Sequence, residues 1–211
     1  SLKGSCYAIC FLERKNGDVL AGTSGLGVMK FSDQTHASQI GGALAELHTI
    51  NSMIEDSKGR LWMVTDGKGL ISYDGKQVTH YLKDRSDLLF STLCEDHEGV
   101  VYVGTSNAGL FRLQGSDFVH VEGTAMRAVA SLYCDHFGGI IIGYDGQGIA
   151  IYDTKQDKIV DNPFYSMEVD LSKSKVYSVI EDNSGNLWFG MLQKGIYKQP
   201  ISFNGFGYMG Y

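Results

Sequence analysis

Four cysteines, six histidines and a recurring glutamate are the side chains of widest chemical reach in this sequence. Thiolates bind zinc when several ligands sit at short, paired spacings. Here Cys6 and Cys10 are the one close pair, Cys94 and Cys134 stand alone, and there is no Cys-x-x-Cys. Free thiols within or beside strands are therefore expected, not a metal centre. His97 and His136 recur 39 residues apart at one position of a repeated turn, which marks them as turn residues. Glycoside hydrolysis would need two carboxyl groups about 5–9.5 Å apart. Glu55, Glu95 and Glu181 recur once per repeat, a pattern that spreads them around a ring instead of pairing them.

Other motifs dissolve on inspection. Asp182-Asn183-Ser184-Gly185-Asn186 lacks the alternating ligands and distal Glu of a calcium loop, so a hairpin turn is expected. Gly25-Leu26-Gly27 and Gly67-Lys68-Gly69 are followed by no helix whose N-terminus could hold phosphate. Trp62 and Trp188 could stack on a sugar, but they lie at equivalent positions inside apolar strands and read as core. What remains for recognition is polar and lies in loops. The candidates are Asp66, Lys68, Asn107, Asp145, Gln147, Gln193 and Lys194, with Ser24, in one set of turns. Tyr165, beside Phe164, adds an aromatic in the longest connection. These groups differ from repeat to repeat, so the repeat geometry does not demand them. No catalytic residue, metal or cofactor is assigned.

The elements that must position those loops follow from self-similarity. Turn glycines at 17, 59, 99, 138 and 185 are spaced by 42, 40, 39 and 47 residues, each with a second glycine ten residues on. The repetition explains the composition: 27 glycines in 211 residues, well above the usual ~7%, beside only 2 prolines. Each unit reads as four short strands. A semi-alternating run such as Ile50 to Ile54 meets a D-x-x-G turn, where Asp caps its own backbone and Gly takes positive φ. The second strand, Leu61-Trp62-Met63-Val64, is apolar on both faces. A D-G-x-G turn, a third strand and a weaker outer strand complete the unit. The best helical stretch, 42–48, is short and lies between repeats. About 42 residues making four strands is one blade of a β-propeller. The expected fold is all-β, one propeller region over 1–211 with repeats at about 5–46, 47–87, 88–126, 127–173 and 174–211.

Charge and hydropathy exclude two partners. Eighteen basic against 24 acidic residues leave no cationic surplus for nucleic acid. No apolar run is long enough to cross a membrane. The opening Ser1-Leu2-Lys3-Gly4 does not read as a signal peptide.

The repeat resembles that of the two-component regulator propeller family, with its run I-x-S-I-x-E-D-x-x-G-x-L-W-x-G-T-x-G-x-G-L. Residues 50–70 and 176–196 match it best. Arg14 stands in place of the turn Asp, Val64 in place of a glycine, Met191-Leu192 in place of Thr-Asp, and Gln199-Pro200 in place of Tyr-Asp. The resemblance implies the periplasmic sensor region of a hybrid two-component system of gut Bacteroidetes, recognising an oligosaccharide and signalling to a histidine kinase outside this chain. It also implies seven blades in the usual propeller. Five repeats therefore either close as a five-bladed ring or form an arc with two open blade faces, for which self-association, such as a dimer, would be natural. A free-standing lectin, a protein-interaction scaffold, and a propeller glycosidase or lyase are the competing expectations.

Overall fold

The D-x-x-G turns are where each blade is organised. In the second repeat the first strand ends at Glu55 and the chain reverses through Asp56-Ser57-Lys58-Gly59, with Gly59 at φ +79°. Asp56 is fully buried. One carboxylate oxygen accepts the N–H groups of Lys58 and Arg60, at 3.0 and 2.8 Å. The other accepts Arg60 Nε at 2.7 Å and Trp62 Nε1 at 2.8 Å. The turn thus fixes not only its own backbone but also the ring of the strand that follows.

The computed structural model describes residues 7–33, 35–164 and 170–200. Blade 1 comprises β1 (Ala8–Glu13), β2 (Val19–Thr23), β3 (Val28–Phe31) and β4 (Ala37–Gln39). Blade 2 comprises β5 (Ile50–Glu55), β6 (Leu61–Thr65), β7 (Gly69–Tyr73) and β8 (Val78–Tyr81). Blade 3 comprises β9 (Phe90–Glu95), β10 (Val101–Thr105), β11 (Gly109–Gln114) and β12 (Asp117–His120). Blade 4 comprises β13 (Val129–Cys134), β14 (Ile140–Tyr144), β15 (Ile149–Asp153) and β16 (Lys158–Asp161). Blade 5 comprises β17 (Val176–Glu181), β18 (Leu187–Met191) and β19 (Gly195–Gln199). Every sheet is an antiparallel meander in chain order, and the first strands β1, β5, β9, β13 and β17 pack successively side by side. This is a five-blade β-propeller. A fourth strand is expected in every blade; the fifth sheet has three among the described residues. The stretch expected to be most helical holds one short 3-10 turn, Gly42–Leu44.

Each core lies between blades, not within one. Trp62, Val64 and Leu70 of blade 2 meet Leu93, Val101 and Val103 of blade 3, and the other three interfaces repeat that arrangement. The middle strands β6, β10 and β14 are buried along their whole length, which is why they read as apolar on both faces. Glycine at the fourth position of the second strand lets the blades approach. A Cβ at Gly104 would overlap Val129 of the next blade, and one at Gly22 would come within 2.9 Å of Ile50. Every β-strand pair nearest the centre also carries a register shift at the end where these blades meet.

The two tryptophans differ, which corrects the expectation that both are core. Trp62 is fully buried, packed on Tyr81 and Phe118. Trp188 is half-buried, on the side of blade 5 that faces away from blade 4, with Lys198 Nζ 5.0 Å from its ring centre. Trp62→Ala is expected to cost about 3–5 kcal/mol, as for other fully buried aromatics, and Trp188→Ala distinctly less. Gly104→Ala should cost about 1–3 kcal/mol through overpacking. Urea midpoints of the three variants test this ranking.

Candidate ligand-binding site

The turns joining second to third strands and the long connections between blades lie at one end of the propeller. Backbone bonds prove the adjacency: Asp66 N–H donates to Thr49 C=O at 3.1 Å, Ser106 to Leu89 at 2.8 Å, Asp145 to Ala128 at 2.9 Å and Leu192 to Lys175 at 3.0 Å. Isolated bridges Ser24–Thr49 and Asp145–Lys175 repeat the contact. With Ser24 N–H donating to Tyr7 C=O at 3.0 Å in blade 1, all five expected recognition turns are distributed around one rim, one per blade. The D-x-x-G turns occupy the opposite end.

Around that rim the expected residues divide by how far their polar atoms are already engaged. Asn107 is a structural clamp: its Oδ1 accepts Leu89 N–H at 3.0 Å and its Nδ2 donates to Asp87 C=O at 2.7 Å. Asp145 pairs with Lys175 at 2.7 Å. Gln147 Oε1 accepts Arg127 Nε at 3.1 Å, while Arg127 also pairs with Asp161 at 2.6 Å and lies 3.7 Å above the Tyr144 ring. Lys194 Nζ donates to Asp170 C=O at 3.0 Å and to Ser174 Oγ at 3.2 Å. Gln193 is exposed, with φ +60°. Tyr165 lies outside the described residues.

Asp66 and Lys68 differ from these. Both are exposed and line a cleft of about 560 Å³ between blades 2 and 3. Its other walls bring in Arg85, Ser86, Tyr81 and Phe90, none singled out by sequence reasoning. The signal was present in the Lys83-to-Ser86 connection, but only the fold sets that connection beside the Asp66 turn. Arg85 is held by Asp87 through two bonds of 2.8 and 2.9 Å. One carboxylate, three cations (Lys68, Lys83 and Arg85) and two half-buried aromatic rings around an open cleft can hydrogen-bond a hydroxyl-rich or acidic ligand and stack on it.

At the opposite end the recurring glutamates join neighbouring blades. Glu55 accepts the N–H of Lys15 at 2.7 Å and the Arg14 guanidinium at 2.6 Å. Glu95 accepts Ser57 N–H and Oγ, each at 2.7 Å. Glu181 accepts His136 N–H at 3.1 Å and pairs with its ring. Each glutamate thus reaches back to the turn of the preceding blade, so His136 does more than occupy a turn. A second cleft, of about 520 Å³, lies at this end between blades 3 and 4, with Asp96, His97, Arg112 and Lys155 on its walls. Cys10, Cys94 and Cys134 are free thiols; burial pushes Cys94 well above the usual thiol range and Cys134 up to about 11. Cys6 lies outside the described residues. Among the described residues no group of three or more His, Cys, Asp or Glu is placed to hold a metal ion.

The family model described as "Two component regulator propeller" matches residues 46–67 and 170–193, the ends of two connections together with the first hairpins of blades 2 and 5. Those two stretches are similar to two component regulator propeller repeats. Solved structures similar to it share the fold at low identity. PorZ, a surface component of the type-IX secretion system of Porphyromonas gingivalis, is 19% identical at TM-score 0.71, over 94% of this chain and 34% of that one. The extracellular domain of the hybrid two component system BT4673 of B. thetaiotaomicron is 18% identical at TM-score 0.70, over 90% of this chain and 26% of that one. Virginiamycin B lyase of Staphylococcus aureus is 12% identical at TM-score 0.68, over 93% and 70%. The chain spans about a third or less of the length of the first two. No curated protein matches it.

In this propeller the turn aspartates are not electrostatically equal. Burial would raise Asp56, but the bonds from Trp62 and Arg60 outweigh it and hold the group below the usual carboxylate range. Trp188 Nε1 and Asn186 hold Asp182 far below that range. Asp135 is raised by burial, which outweighs the N–H groups of Gly139 and Phe137 and the nearby His136; Ile141 offers no side-chain donor where blades 2 and 5 have Trp. A lowered native pKa contributes stability above the unfolded value, about 3.9, that is lost as pH falls through the native one. A raised one works the other way, favouring the fold as the group protonates. Asp182→Asn is therefore expected to flatten the loss of stability below about pH 4. Asp135→Asn keeps the one oxygen that accepts both N–H groups, and should be neutral or stabilising at pH 7. Urea titrations at pH 7 and pH 4 measure both. Tyr144 OH is buried without a hydrogen-bond partner, so Tyr144→Phe should cost nothing or raise the melting temperature slightly.

Proposed function

We propose that this chain is a non-catalytic, ligand-sensing part of a two-component sensor, on the periplasmic or outer side of the cell. In this reading it binds an oligosaccharide or related polar ligand at the rim cleft and signals to a histidine kinase outside the chain. The observation that carries the binding site is the cleft between blades 2 and 3, where Asp66 and Lys68 of one turn, Tyr81 and Phe90 at the ends of two strands, and Arg85 of the connection between those strands converge. The family description and the extracellular domains among the structural neighbours support the sensor role.

The non-catalytic part of the reading rests on how the carboxylates are used. Glu55, Glu95 and Glu181, the repeated acids nearest the centre, each bind backbone N–H groups of the preceding blade. They are distributed one per blade, which is the arrangement of structural latches and not of an acid and base flanking one bond. A ligand bound across two blades would act by favouring one relative blade orientation over another, by its difference in affinity for the two.

Isothermal titration with a panel of neutral and acidic oligosaccharides tests the proposal. Lys68→Ala and Asp66→Ala should each weaken the binding of a hit by about tenfold, the worth of one hydrogen bond to a charged group, with unchanged melting. Chromatography of the incubated ligand should show no cleavage. Hydrolysis or elimination of a glycan, or binding untouched by both substitutions, would overturn it.

A further inference from the structure

The cleft between blades 2 and 3 gathers positive charge that the chain as a whole lacks. The chain has 24 acidic against 18 basic residues, net −6. On the walls of this cleft the balance is reversed, with Lys68, Lys83 and Arg85 against Asp66 alone. The acids of the same connection, Asp84 and Asp87, are not on those walls. Among the described residues Lys68 and Lys83 have no ion pair and no acceptor for Nζ, whereas Lys30, Lys175 and Lys194 are each engaged by a neighbour. Cations lining one concave surface add their fields and draw anions to it.

The connection that carries Lys83 and Arg85 is held in shape by the fold itself. It leaves β8 through Leu82 at φ +52°, a left-handed conformation that leucine seldom takes. Two successive backbone bonds follow, Arg85 N–H to Leu82 C=O at 3.0 Å and Leu88 N–H to Arg85 C=O at 3.1 Å. Asn107, from the turn of blade 3, pins the far end by binding both Asp87 C=O and Leu89 N–H. The Asp87 carboxylate grips Arg85 through Nε and Nη2. A guanidinium has five N–H groups, so three keep a fixed direction and remain for a ligand. The apolar wall is equally fixed: the Phe90 ring lies against the turn at Gly69, 3.5 Å from where a Cβ would stand, and Tyr81 packs on Trp62 with ring centres 4.9 Å apart.

We propose that this cleft selects acidic oligosaccharides over neutral ones, which rests on the reading of the cleft as the binding site. A carboxylate or sulfate of the ligand is received by the remaining N–H groups of Arg85, whose planar fork matches paired anionic oxygens. Lys68 and Lys83 neutralise it, or a second anionic group, from the turn and from the connection. A sugar ring stacks on Phe90, and Asp66 accepts sugar hydroxyls. Because the connection is already fixed, little ordering cost is set against these charged bonds. A neutral sugar of the same shape forgoes them.

Isothermal titration with matched pairs tests this on the chain itself: trigalacturonate against its methyl ester, and sulfated lactose against lactose. In at least one pair the acid should bind about a hundredfold tighter than its neutral partner, the worth of two charged hydrogen bonds. The pair that responds distinguishes carboxylate from sulfate. Raising the salt concentration should weaken the acid and leave the neutral sugar unchanged. Lys83→Gln and Arg85→Gln, both at exposed positions, should each cut the preference by about tenfold and keep the wild-type circular dichroism melt. Neutral sugars binding as tightly as the acids, and weakened by Lys68→Ala, would overturn the charge preference while sustaining the cleft as the site. Acids that bind tighter but ignore Lys68→Ala, Lys83→Gln and Arg85→Gln would overturn the cleft itself. Binding by none of the four sugars would overturn both.

Discussion

The bond between the turn aspartate and the aromatic six residues later is the constraint on which the propeller depends. A tight turn needs a capped backbone, and an aromatic N–H or O–H taken into a core needs a partner. Asp56 and Asp182 meet both needs with a Trp, and Asp96 meets them with Tyr102 O–H at 2.9 Å. The same carboxylate therefore sets where the hairpin reverses and how deep the ring sits between blades. Where the ring lies between blades, as Trp62 and Tyr102 do, it is among the largest side chains of the interface, and its position sets the spacing that the neighbouring strand must fit. Blade 4 has an Ile at this position, and its Asp135 is left with backbone donors alone. The core survives there because Tyr133, Phe189 and Tyr197 supply the bulk from other positions.

Most of the fold was legible in the sequence because the repeat is dense in residues of narrow conformational meaning. A glycine that must take positive φ, an aspartate that caps it and an apolar run between turns leave little freedom, and five copies in register confirm one another. The strand starts at Ala8, Ile50, Phe90, Val129 and Val176 all follow from this alignment. The difference between Trp62 and Trp188 was not legible, because equivalent positions in a repeat become inequivalent only through what lies beside them. The role of Glu55, Glu95 and Glu181 was half legible: their recurrence showed that they serve the repeat, but not that they reach across to the preceding turn.

The candidate site was harder to read for a related reason. Loop residues were chosen as polar groups that the repeat does not require, and several prove to be required by a connection. Asn107 clamps residues 87–89, Lys194 holds 170–174, and Asp145 is matched by Lys175. Asp66 and Lys68 remain at a cleft whose other residues come from a connection some 15 to 20 positions away. Proximity of that kind is a property of the rim, where each turn meets the connection entering the next blade, and one repeat taken alone does not contain it.

Arg14 gives the molecule a direction. In place of an aspartate that would close the first turn on itself, blade 1 has a guanidinium that leaves the blade and binds Glu55 and the Gly59 carbonyl of blade 2. Its turn retains backbone closure, Arg14 N–H to Asp18 C=O at 2.8 Å, but its side-chain anchor belongs to its neighbour. In a chain of units coupled only to nearest neighbours, stability passes from unit to unit. A unit that borrows its anchor from a neighbour opens more readily than one whose turn is closed by its own aspartate. Blade 2, with its turn closed by Asp56, is then the template on which blade 1 assembles, so within this pair order passes from blade 2 to blade 1.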